Sequence, residues 1–134
     1  MIAEHLINPM VPAVKRDDKA EKAIIWMEEL KTNQLPVIDG RQYLGLISED
    51  IILDGNSLDR KISDFPLLAD NCYLYEWQHL FDALRILQDC GAEMVAIVDE
   101  HEAFLGVATY EDMIRAFAGT ITIRGKGGIV VLSM

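Results

Sequence analysis

The feature that most constrains this chain is a pattern used twice with almost no sequence identity. Ala20, Ala23, Ile24, Met27 and Leu30 fall on one face of a helix, and Leu80, Ala83, Leu84, Leu87 and Cys90 repeat that spacing 60 residues on. Each face leads into an apolar run that stops at an aspartate: Leu35-Pro36-Val37-Ile38-Asp39 and Val95-Ala96-Ile97-Val98-Asp99. The offset grows to 61 between Gly45 and Gly106 and to 62 between Asp50 and Asp112. One residue is thus added in a turn and one at the start of the last helix, and insertions confined to such places point to a shared architecture. Two halves packed on each other are implied, with any site lying between them.

Each half reads as extended segment, helix, strand, strand, helix. The first has an extended piece over 10–16 and a helix over 19–31, with Asp17 or Asp18 as N-cap and Asp18–Glu21 at capping-box spacing. Strands over 35–39 and 43–48 then form a hairpin, and a short helix runs to Gly55. The second has an extended piece over 67–74, a helix over 76–90, strands over 94–99 and 103–108, and a helix over 110–118 ending at Gly119. The expected fold class is α/β (α+β): two β-α-β-β-α repeats as a pseudo-twofold pair. The first repeat covers 1–56, a polar linker 57–63, the second repeat 64–119 and a C-terminal tail strand 120–134. One unit alone would expose a face of a small sheet, so neither half should be stable by itself.

Composition narrows the function. With 51% hydrophobic residues the chain can build a core. A net charge of -10, with only Lys15-Arg16 and Arg60-Lys61 as adjacent basic pairs, argues against nucleic acid as a partner. The N-terminus lacks the basic and apolar regions of a secretory signal, and no apolar run approaches the ~20 residues of a membrane helix. A cytoplasmic protein with no membrane insertion is expected. Cys72 and Cys90 show no metal-ligand spacing, so reduced thiols are expected, with Cys90 as a small core residue. His5, His79 and His101 are isolated, and phosphate-loop, nucleophile-elbow and Cys/His motifs are absent. No catalytic residue, metal site or required cofactor is expected, and the chain reads as a non-enzyme.

The residues also match a known pattern. Leu35–Asp39, Leu44-Gly45-Leu46-Ile47-Ser48 and Asp50 in the first copy, and Gly91, Val95–Asp99, Leu105-Gly106-Val107-Ala108-Thr109 and Asp112 in the second, resemble the cystathionine-β-synthase (CBS) domain. Such domains occur in tandem as Bateman modules, and the likeness spans roughly residues 5–118. It implies two clefts between the halves, adenine-nucleotide sensing, a flat homodimer, and regulation of another, here unidentified, protein. AMP, ADP, ATP or S-adenosylmethionine are the ligands it suggests. The tail, with Ile129-Val130-Val131-Leu132, weakly resembles the first strand of an ACT-like domain.

The resemblance places a ligand at Thr109 and Asp112, hydroxyl near phosphate and carboxylate on ribose, with adenine against Glu93, Met94 and Val95. Thr109-x-x-Asp112 is equally a capping box. Spacing alone favours the cap; the resemblance puts the two readings level, competing for the same groups. The first copy is one residue short: Ser48 and Asp50 do not share a helix face, so a first-copy site is doubtful. Pro36 becomes Ala96, and Lys31 stands where the second copy has Gly91. Asp39 and Asp99 read as turn caps. For Trp26, core packing is favoured over a contact between halves or protomers. The alternative function is a ligand-free dimerisation or protein-interaction scaffold.

Overall fold

A computed structural model describes residues 2–55 and 57–121. The order is a 3-10 turn Ala3–Leu6, β1 (Val14–Lys15), α1 (Ala20–Leu30), β2 (Gln34–Asp39), β3 (Gln42–Ser48), α2 (Glu49–Gly55), a 3-10 turn Ile62–Asp64, β4 (Tyr73–Tyr75), α3 (Leu80–Cys90), β5 (Met94–Val98), β6 (Phe104–Thr109) and α4 (Tyr110–Ile121). Two three-stranded sheets result, β1-β2-β3 and β4-β5-β6. In each, the first strand pairs parallel with the second, and the second antiparallel with the third. The mixed α+β architecture read from the repeat is therefore present. The expected tail strand and its ACT-like character lie outside the described residues.

Each unit buries the face that its helix pattern specifies. Ala20, Ala23 and Met27 enter one core with Leu35, Val37 and Ile47; Leu80, Ala83 and Leu87 enter the other with Val95, Ile97 and Ala108. A third cluster joins the halves, with Tyr43 and Leu46 from one against Met94, Ala96, Val98 and Val107 from the other. At the hairpin ends Gln42 bridges Ala103, and the Phe104 N–H donates to the Arg41 carbonyl at 2.7 Å.

The segments that precede β1 and β4 are exchanged. Ala3 and Leu6 are buried in the second unit's core, whereas Ile62 and Phe65 are buried in the first unit's. Each segment then presses on a strand glycine. A Cβ at Gly45 would stand 2.9 Å from Leu67 Cβ and 2.9 Å from the Leu68 carbonyl; one at Gly106 would stand 2.6 Å from Ile7 Cγ2. The close approach allows backbone pairing: Leu46 and Leu68 exchange N–H···O bonds at 2.7 and 2.8 Å, and the Asn8 N–H donates to the Val107 carbonyl at 2.8 Å. Residues 57–63 are mostly exposed but are pinned by backbone bonds to residues 16–21, with Ile62 fully buried.

Several local expectations are corrected. The α1 N-cap is Lys19, without a side-chain bond. The Asp18 carboxylate instead accepts the Lys15 N–H at 2.8 Å and pairs with Lys22 at 3.3 Å. α3 starts at Leu80, since Tyr75–Gln78 closes a turn in which the Gln78 side chain accepts the Tyr75 N–H. α4 continues through Gly119 to Ile121, a glycine costing a helix only about 1 kcal/mol. Asp99 caps its turn by accepting the Ala103 and His101 N–H groups, and these donors hold its carboxyl below the usual range against a burial effect that raises it. Asp39 instead pairs with Arg16 at 3.3 Å. Trp26 lies at the surface, 38% exposed; Trp77 is also exposed and stacks on Tyr75.

The cysteines are the largest departure. Cys72 and Cys90 are joined as a disulfide, with Cα atoms 6.5 Å apart, and are not the reduced thiols expected. Their spacing of 18 residues carries no motif. Only the fold brings the turn before β4 to the end of α3, and there Cys90 is half-buried instead of a core residue. No helix among the described residues is long and apolar enough to cross a membrane.

The two glycines differ in what opposes a side chain. Gly45→Ala should cost about 2–4 kcal/mol, because backbone and a Cβ block it at a φ of 147°. Gly106→Ala should cost less, since only an isoleucine methyl must move. Urea unfolding midpoints of the two variants check the ranking.

Candidate functional site

The exchanged N-terminal segment forms one wall of a cleft between the halves. A cavity of about 380 Å³ is lined by Met10 and Val11 from that segment, Leu30, Lys31 and Thr32 from the end of α1, and Glu93, Met94, Thr109, Tyr110 and Glu111 from the second unit. Its lining mixes apolar residues, Met10, Val11, Leu30 and Met94, with polar ones, the common composition of a small-molecule site. A second cavity of about 480 Å³ lies beside it, sharing Asn8 and Met10 and adding His5, Asp112 and Arg115.

Of the residues expected from sequence, Thr109, Glu93 and Met94 meet in the first cavity and Asp112 faces the second. Val95 packs into the second unit's core. Glu93 contributes its main chain: its N–H donates to the buried Gln34 side chain at 2.9 Å, and its carbonyl accepts the Tyr110 N–H at 3.1 Å. Gln34 thereby ties the two halves together at the cleft.

Thr109 and Asp112 form the capping box. Thr109 Oγ1 accepts the Asp112 N–H at 3.1 Å, and Asp112 Oδ2 accepts the Thr109 N–H at 3.1 Å and the Thr109 hydroxyl at 2.8 Å. The Asn8 amide also donates to Oδ2, at 3.0 Å. Oδ1 has only longer contacts, 3.4 Å to the Asn8 amide and 3.5 Å to the Arg115 guanidinium. The cap is therefore concentrated on one oxygen, and the other keeps capacity for a hydroxyl donor.

The first-copy counterparts are arranged differently. Ser48 is buried and its hydroxyl accepts the Ile51 N–H at 3.2 Å, while Asp50 is exposed. Asn8 and Arg115 line these cavities without having been singled out from sequence, and Lys31, noted there only as the counterpart of Gly91, lines the first cavity. Arg115 follows Asp112 by one helical turn and was open to inspection. Asn8 was hidden, because nothing local shows that its segment crosses to the other half. Lys31 ends α1 in the left-handed conformation, φ 55°, at the position of Gly91, φ 63°. Among the described residues no group of three His, Cys, Asp or Glu converges as a metal site.

Two parallel-antiparallel units, joined across their sheets with a cleft on the flank, define the fold of a tandem CBS domain pair. A CBS domain pair/ACT domain protein of Thermotoga maritima superposes with a TM-score of 0.80 at 19% identity, over 90% of this chain and 98% of that one. The CBS-pair protein CBSX2 of Arabidopsis thaliana, solved in complex with AMP, superposes with a TM-score of 0.73 at 22% identity, over 89% of this chain and 97% of that one. An uncharacterized protein of Methanocaldococcus jannaschii is 26% identical over 85 residues, 63% of this chain but 28% of that protein's length. No family model matches the chain.

Because Thr109 and Asp112 share their bonds, Thr109→Ala and Asp112→Ala should each cost about 1–2 kcal/mol, and the double variant clearly less than the sum. Thermal unfolding of the three variants measures the coupling.

Proposed function

We propose that this chain is a non-catalytic regulatory module that binds an adenine nucleotide or related adenosyl ligand on the second-copy flank. The observation that carries the reading is the division of labour at Asp112: Oδ2 takes the short cap bonds, Oδ1 makes only longer contacts, and the residue lines a cavity that shares Asn8 and Met10 with its more apolar neighbour. The base rests between Met10, Val11, Leu30 and Met94, a ribose hydroxyl donates to Oδ1, and phosphate meets Arg115 or Lys31. The AMP complex of CBSX2, a protein of the same fold, supports the ligand class. The net charge of -10 repels free anions, so these local cations matter.

A second reading, a dimerisation or docking scaffold, is favoured by exposed Ile25 and Leu53 on the first unit's helices and Phe81 and Ile114 on the second's. The two readings are compatible, since the cleft and the helix faces are different surfaces. Sedimentation equilibrium measures the self-association that the scaffold reading requires.

Isothermal titration with AMP, ADP, ATP and S-adenosylmethionine tests the ligand; no binding by any of them overturns the nucleotide reading. Lys31→Gly separates site from stability. Glycine relieves the left-handed conformation, so the variant should gain about 0.5–1 kcal/mol while losing a cation. Affinity for the phosphorylated ligands should fall and that for S-adenosylmethionine should hold.

A further inference from the structure

The first-copy flank carries chemistry that its twin lacks. Val14 faces Val37 and Leu74 faces Ile97 in matching registers, so Cys72 stands where the first unit has Pro12, and Cys90 where it has Leu30. Leu30 and Val11 line the cavity on the second-copy flank. Cys90 and Asn71 therefore stand at the equivalent positions on the other flank. The disulfide joins the exchanged segment that follows Phe65 to the last residue of α3.

That segment is already held without the bond. Leu68 pairs with Leu46 in both directions, and the Tyr43 hydroxyl donates to the Ala69 carbonyl at 2.9 Å. Ahead of it, Ile62 and Phe65 are buried in the first core. On the twin flank Pro12 and Leu30 occupy the same places with no covalent link. The same arrangement is thus reached on one flank without a covalent link, and on the other with one. Both cysteines are half-buried, within reach of a small thiol.

We propose that Cys72–Cys90 is a reversible thiol–disulfide site, exchanging with low-molecular-weight thiols and disulfides, that ties the exchanged segment to the end of α3 when oxidised and frees it when reduced. The proposal rests on the fold and is independent of nucleotide binding. Cys90 ends α3, where the negative end of the helix dipole disfavours a thiolate; Cys72 lies in a turn and is the better thiolate and leaving group. In reduction an external thiolate attacks Cys90 Sγ, the S–S bond breaks, and its electron pair leaves on Cys72, which takes up a proton. A second external thiolate attacks the mixed disulfide and releases Cys90. The sum is protein disulfide plus two thiols giving protein dithiol plus one external disulfide, and oxidation is the reverse.

The test uses the full chain in glutathione buffers of graded oxidised-to-reduced ratio, with alkylation, peptide mass mapping and hydrogen exchange. Cys72 and Cys90 should open and close together across the series. Reduction should speed amide exchange at Leu68 by about tenfold or more while leaving Asn8, its counterpart, unchanged. With oxidised glutathione, Cys90→Ser should form a mixed disulfide at Cys72 faster than Cys72→Ser does at Cys90. A pair still bonded in excess reduced glutathione is a permanent staple and overturns the proposal. So does a pair that never closes in oxidised glutathione, or Leu68 exchange unmoved by reduction. Because the wild-type chain carries the main readout, a variant that fails to fold does not spoil the test.

Discussion

The structure depends on two close approaches, of Leu67 and Leu68 onto Gly45 and of Ile7 onto Gly106. Each puts a segment from ahead of one unit onto the outer strand of the other. The halves are therefore interlocked as well as packed: each core contains side chains supplied from across the boundary. A side chain at Gly45 would push against the backbone of the segment that pairs with Leu46, whereas one at Gly106 would meet only the Ile7 side chain. The cleft follows from the same crossing, because the exchanged N-terminal segment continues through Met10 and Val11 as its wall.

Polar groups at the second-copy cleft are shared between holding the fold and facing the opening. Gln34 and Asn8, one from each side of the exchange, hold Glu93 and Asp112 in place. Buried polar contacts of this kind fix a unique arrangement because an unpaired partner would cost about 1–3 kcal/mol. The capping box then orients the Asp112 carboxylate, with its short bonds on Oδ2 and only longer contacts on Oδ1.

Much of the fold was legible because periodicity is local. The 3.6-residue stripes placed α1 and α3 to within a residue at their C-terminal ends, and the apolar runs ending at Asp39 and Asp99 placed β2 and β5. What was not legible is what proximity decides. Nothing in the 3-10 turn Ala3–Leu6 tells which core it joins, and Cys72 and Cys90 have no spacing that marks them as partners. The start of α3 was misjudged because Gln78 competes for the backbone as a turn residue. At the site, the Thr109–Asp112 spacing was read correctly as a cap. The spare oxygen could be seen only once Asn8 was in place.

α4 joins two ends of the molecule in one element. It begins at the capping box and runs for 12 residues to Ile121, ahead of residues 122–134. At ~1.5 Å per residue it is a rod of roughly 18 Å. A tilt of about 10° at the Asp112 end moves the far end by roughly 3 Å, on that length. Any rotation of α4 about its capping box would thus be multiplied along the helix into displacement at Ile121.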